Sequence, residues 1–173
     1  DRPAARAGDT TAMVPSADPG TDASAPAGGA WVARADGIGP ISVGMTSGEA
    51  RAAAGLGPGA AVGGDCAYLE GALPYGVRVM LARDTVARVE TGDSTVATVE
   101  GVHVGDTEAR ATQRYAGRVE VQPHKYDPPP AHVLVVTPPD DAMHRIILVT
   151  DGTRVTALRV GRMPEVAFVE GCG

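Results

Sequence analysis

Aromatic residues make up only 3% of this 173-residue chain, lysine occurs once, at Lys125, and cysteine twice, at Cys66 and Cys172. Each scarcity excludes something. With one lysine and a formal net charge of -6, the chain lacks the basic surface from which nucleic-acid binders draw their affinity for phosphates, so no nucleic acid is expected as a partner. No run approaches the ~20 apolar residues of a membrane-spanning helix. The two cysteines lie too far apart to form a CxxC redox or zinc motif. They read either as buried free thiols or, in an oxidising compartment, as a disulfide closing a long loop, worth ~4 to 5 kcal/mol in the chain-entropy model. The expectation carried forward is a Cys66–Cys172 disulfide that pins the C-terminus to the middle of the chain. Catalytic signatures are lacking as well. There is no G-x-S-x-G elbow, no H-E-x-x-H, and no G-x-G-x-x-G or P-loop after a strand, so neither enzymatic activity nor a cofactor is expected.

What is present begins with residues 1 to 30, which are Ala, Pro, Gly, Asp, Ser and Thr with almost no large apolar side chain. Such a segment cannot bury enough surface to offset its conformational entropy, and it reads as a disordered tether. No charged n-region with an apolar h-region opens the chain, so a targeting signal is expected to have been removed or never included. A polar leader before a folded part fits an exported protein on a leash, with a lipid anchor upstream of Asp1 as one way to hold it.

The rest is organised by an internal repeat. Ile41-Ser42-Val43-Gly44-Met45-Thr46-Ser47-Gly48-Glu49-Ala50 is echoed by Val102-His103-Val104-Gly105-Asp106-Thr107-Glu108-Ala109, with Gly44 and Gly105, and Thr46 and Thr107, at one offset. Each copy reads as a short apolar strand or arm, a Gly turn, a capping Thr and a short helix ended by Gly. In the first, Thr46 and Glu49 form a capping box; in the second, Arg110 stands where the Glu would be. Strands are expected at 76–82, 86–91, 133–137, 144–150 and 153–160, the last two joined by Asp151-Gly152, a strong hairpin signal. The fold class expected is α+β, two tandem helix-plus-antiparallel-sheet repeats over 31–97 and 98–173, the second carrying a C-terminal tail.

The segments IxVGMTxxEA and VxVGDTEA, each followed by a short helix and a β-meander, resemble the SmpA/BamE-type small exported lipoproteins of outer-membrane assembly. Their tandem arrangement is similar to the beta-lactamase inhibitory protein fold (BLIP-like). This resemblance implies a non-enzymatic module that binds another protein in the bacterial cell envelope, as a scaffold or an inhibitor. It places the chain outside the cytoplasm, in the periplasm, the envelope or the medium.

Fourteen of the fifteen basic residues are arginines, several on expected strands. A sheet with helices on one face leaves its other face for water or a partner, and Arg beside aromatics is the usual composition of a protein-binding hot spot. The candidate protein-binding residues are therefore Tyr75, Arg78, Arg88, Tyr126, Arg145 and Arg154. A two-residue Asp151-Gly152 turn would put Arg145 and Arg154 on one face and His144 and Arg159 on the other. The competing expectation is a metal- or small-ligand-binding periplasmic protein using His124 and His132, which flank a Lys-Tyr-Asp-Pro-Pro-Pro loop where imidazoles can meet across a hairpin mouth.

Overall fold

The computed structural model describes residues 29–59 and 64–172; the expected tether falls outside these residues except for its last two. Eleven strands and two α-helices follow one another as β1 (Val32–Arg34), β2 (Gly37–Ile38), β3 (Ile41–Ser42), α1 (Ser47–Ala53), β4 (Ala67–Tyr68), β5 (Arg78–Ala82), β6 (Thr85–Thr91), β7 (Ala97–Thr98), α2 (Glu108–Arg114), β8 (Val119–Pro123), β9 (His132–Val136), β10 (His144–Thr150) and β11 (Val155–Arg162). A small sheet has the order β3-β2-β1-β7, and a large one the order β4-β5-β6-β11-β10-β9-β8.

This corrects the expected α+β class of two helix-plus-sheet repeats. Strand takes 37% of the described residues and helix 14%, so the chain is mostly β, with sheets of four and seven strands. The physical reason lies in the hairpin edges. An isolated β5–β6 hairpin would leave a row of unpaired backbone groups along β6; β11, the last strand of the chain, supplies their partners, with Val89 opposite Val160 and Arg88 opposite Gly161. Gly161 permits the approach, since a Cβ there would lie 2.4 Å from the Ala87 carbonyl oxygen. The helices, meanwhile, are only seven residues each, too short to roof a seven-stranded sheet.

The local chemistry of the Gly-x-Thr segments is plain. Gly44 and Gly105 turn the chain at φ 92° and 95°. Thr46 caps α1 by accepting from the Glu49 N–H, and the Glu49 carboxylate accepts from the Thr46 N–H in return at 2.8 Å. Thr107 caps α2 by accepting from the Arg110 N–H. The helices bring Ala50, Ala111 and Tyr115 to the same core as Ala33, Ile38, Ile41, Val96 and Val102 of the small-sheet side. That core rests on one face of the large sheet, formed by Val79, Val89, Leu134, Val136, Ile146, Leu148, Leu158 and Val160. Alternation then sends Arg78, Arg88, Glu90, Arg145 and Arg159 to the opposite, outer face.

The expected split between Arg145 and Arg159 is reversed. Ile147 pairs with Arg159 and Arg145 with Gly161, and Thr150 pairs with Val155 across residues 151–154, with a register shift beside Thr150. An odd shift from a two-residue turn exchanges the faces of every residue on the returning strand. Arg145 and Arg159 therefore share the outer face, and Arg154 sits in the turn.

Beyond β11 the tail folds back over part of the outer face. A 3₁₀ turn at Glu165–Ala167 buries Val166, and the Cys66–Cys172 disulfide, with Cα atoms 5.4 Å apart, ties the tail beside β4.

Candidate functional site

The outer face concentrates its charge around one carboxylate. Strand pairing aligns Arg78, Glu90 and Arg159 in one cross-strand row, and Tyr68, Met80, Arg88 and Gly161 in the next row of that face. Glu90 receives three guanidinium groups: Arg88 Nη2 at 2.7 Å, Arg78 Nη1 at 3.3 Å and Arg159 Nε at 3.5 Å. Three positive charges around one negative leave a formal excess of two. Arg88 is the buried member, its side chain 2% exposed. It donates to the Phe168 carbonyl at 2.6 Å and to the Tyr68 hydroxyl at 3.1 Å, while its Nε has no partner. Arg78 is the outermost member, 62% exposed, with its guanidinium carbon 4.2 Å from the Tyr68 ring centroid. Arg159 lies between them, 16% exposed. Burial, and next the like charge of Arg88, lower its pKa, and Glu90 opposes them; the guanidinium stays charged all the same.

A cavity of about 210 Å³ opens at this cluster, lined by Arg78, Glu90, Thr91 and Arg159 together with the small residues Gly76, Gly92 and Ala157. The Thr91 hydroxyl donates to the Tyr75 carbonyl at 2.6 Å and accepts from the Asp93 N–H at 3.0 Å, which fixes the cavity's rim.

Of the residues expected to bind a partner, the structure brings Arg78 and Arg88 together at Glu90 and scatters the rest. Arg88, expected on an open surface, lies beneath the tail, because the tail supplies the carbonyl that replaces its hydration. Tyr75 turns toward the core and meets Trp31 edge to face at 5.9 Å between centroids. Arg145 is on the outer face, but its guanidinium donates to the carbonyls of Ala142 and His144. Arg154 donates from its turn to the Gly105 carbonyl at 2.7 Å. Tyr126 is exposed on the β8–β9 loop, with Lys125 Nζ 4.8 Å from its ring centroid. Sequence reasoning passed over Glu90, Tyr68 and the central place of Arg159. The available signal was Arg88-Val89-Glu90, where strand alternation alone sets Arg88 and Glu90 side by side on one face.

The histidines do not converge. His124 Nδ1 faces Asp127 Oδ2 at 3.2 Å and accepts from the Asp127 N–H at 2.9 Å. His132 Nδ1 lies 2.9 Å from Glu108 Oε1, and the other Glu108 oxygen accepts from the Thr150 hydroxyl. Among the described residues no group of three or more His, Cys, Asp or Glu side chains is placed to hold a metal ion. Nor is any helix among them long and apolar enough to cross a membrane. Compared with family models, curated proteins and solved structures, the chain matches none.

Proposed function

We propose that this chain is a non-enzymatic, exported protein-binding module of the bacterial cell envelope that docks another protein on the outer face of its large sheet. The observation that carries the reading is the three-arginine cluster around Glu90, with a net charge excess at a cavity mouth and an exposed Arg78 stacked on Tyr68. Arg and Tyr are the residue types enriched in interface hot spots, where a partner's docking completes their desolvation. The disulfide is consistent with an oxidising compartment, where such bonds persist. Both cysteines are oxidised, so neither is a thiol nucleophile. The sequence resemblance to small exported assembly lipoproteins points toward the same kind of role.

The test is crosslinking of the full chain in its own envelope fraction, followed by mass spectrometry, beside an Arg78→Asp variant shown to fold by circular dichroism. A specific partner at least about tenfold depleted in the variant is expected, since reversing a central interface charge costs more than 1.4 kcal/mol. A partner held equally by both proteins, or none at all, would overturn the reading.

A further inference from the structure

The Glu90 cluster is over-supplied with donors. Glu90 has two carboxylate oxygens, and the close contact to Oε2 is already taken by buried Arg88. Arg78 and Arg159 approach the same carboxylate at 3.3 and 3.5 Å, yet neither donates a well-aligned hydrogen bond to any described residue. Both line the 210 Å³ cavity beside Glu90. A guanidinium with free N–H groups, partly stripped of water and close to two like charges, is stabilised by any anion that reaches it; charge-assisted hydrogen bonds are roughly twice as strong as neutral ones. The cavity is smaller than the roughly 300–1,000 Å³ of drug-sized sites, and three of the residues that line it, Gly76, Gly92 and Ala157, carry no large side chain. That combination suits a single side chain inserted from outside.

The geometry points to a carboxylate subsite at the cavity, on the guanidinium nitrogens of Arg78 and Arg159 that do not face Glu90, whose occupant is an aspartate or glutamate side chain of the docked protein. The inference rests on the docking reading above and adds the chemistry of the partner: an acidic residue, set where Tyr68 and Arg78 form the neighbouring shelf. At the cavity Arg78 and Arg159 against Glu90 leave an excess of one positive charge, which a single carboxylate balances and a doubly charged phosphate exceeds.

The full chain, labelled so that the arginine Nε–H signals are resolved, is titrated at constant ionic strength with N-acetyl-glutamate N-methylamide. The glutamine analogue and inorganic phosphate serve as the comparison ligands. Expected is a saturable shift of the Arg78 and Arg159 signals, with the glutamate ligand bound about tenfold more tightly than the glutamine one. The exposed Arg78→Gln change should weaken it by about fivefold, and Arg159→Lys, which keeps the charge but not the fork, should do the same. Equal response to the glutamine ligand, tighter binding of phosphate, or indifference to both substitutions would overturn the subsite. If the subsite fails while Arg78→Asp still loses the crosslinked partner, the docking face stands without it. If the glutamate ligand binds but no partner is captured, a carboxylate subsite remains and the docking reading falls.

Discussion

A guanidinium taken out of water needs partners to replace its hydration, and the effective penalty without them is several kcal/mol. Arg88 finds Glu90, the Tyr68 hydroxyl and the Phe168 carbonyl, so a residue that resembles an interface arginine in sequence becomes the pin between sheet and tail. Tyr115 solves a comparable problem on the other face. It is fully buried, donates to Glu100 Oε2 at 3.0 Å and has its hydroxyl 2.7 Å from Thr98 Oγ1. Burial pushes its pKa above the ordinary 10.0; the Thr98 hydrogen bond opposes that and the Glu100 charge adds to it. A raised phenol pKa means that the folded state holds its proton when the unfolded state has lost it. The stabilisation is therefore complete below about pH 10 and is lost as pH climbs toward the folded-state value. Tyr115→Phe should cost about 1 kcal/mol at pH 7, the worth of a buried hydrogen bond. The difference from the parent should shrink above about pH 10, where only the parent can ionise at this position. Urea unfolding of both proteins at pH 7 and again above pH 10 reads this; a gap that stays constant with pH would remove Tyr115 as the cause.

At the scale of elements, the β5–β6 hairpin carries a testable tension. Ala82 pairs directly with Thr85, so Arg83 and Asp84 are the whole turn, and both have positive φ, 50° and 62°. Two-residue turns of this kind favour Asn-Gly, and holding a non-glycine residue in the left-handed region costs on the order of 1 kcal/mol or more. Asp84 also buries an Oδ1 without a partner. The double change Arg83→Asn, Asp84→Gly should raise stability by about 1 kcal/mol, seen as a higher urea midpoint with an unchanged slope. The Asp84 carbonyl that accepts from the Ser47 N–H at 3.1 Å is kept, so a lower midpoint would mean that the side chains of the turn hold more than its backbone strains.

The same elements show what could be read in advance. The strands at 85–91, 144–150 and 155–162 were legible because they are long, β-branched and bounded by turns. The Thr46 capping box was legible because it is a local hydrogen-bond pattern. The two- and three-residue strands β1, β2, β4 and β7 were not, because pairing with other backbone, and not their own composition, makes them strands. The fold class was misread for the same reason, since the β6–β11 pairing that fuses the halves leaves no trace in either hairpin. The outer face was half legible. Alternation places Arg88 beside Glu90, but the run Ile146-Ile147-Leu148-Val149-Thr150 is buried throughout, so apolarity cannot tell which side faces the core.

At the scale of the molecule, the tail and its disulfide decide how much of the outer face a partner can reach. Cys66 and Cys172 are 106 residues apart in sequence, and closing a loop near 100 residues removes about 4.7 kcal/mol of unfolded-state entropy in the chain-entropy model. The tail's own contacts are modest by comparison: Val166 is buried, Arg162 donates to Glu165 at 3.1 Å, and Arg88 holds the Phe168 carbonyl. Exchanging both cysteines for serine should therefore lower the unfolding free energy by about 4 kcal/mol. The seven-stranded sheet should survive, because its strand pairings, apart from β4 beside Cys66, do not involve the tail. Loss of the tie should also expose the tail: chymotrypsin should cut after Phe168 in the double variant far faster than in the disulfide-bonded protein. Arg88 would then lose its Phe168 partner and join Arg78 and Arg159 on an enlarged cationic face. A double variant that unfolds at the parent's midpoint, or whose Phe168 bond stays as resistant to cleavage, would mean that the side-chain contacts hold the tail by themselves and the disulfide adds little.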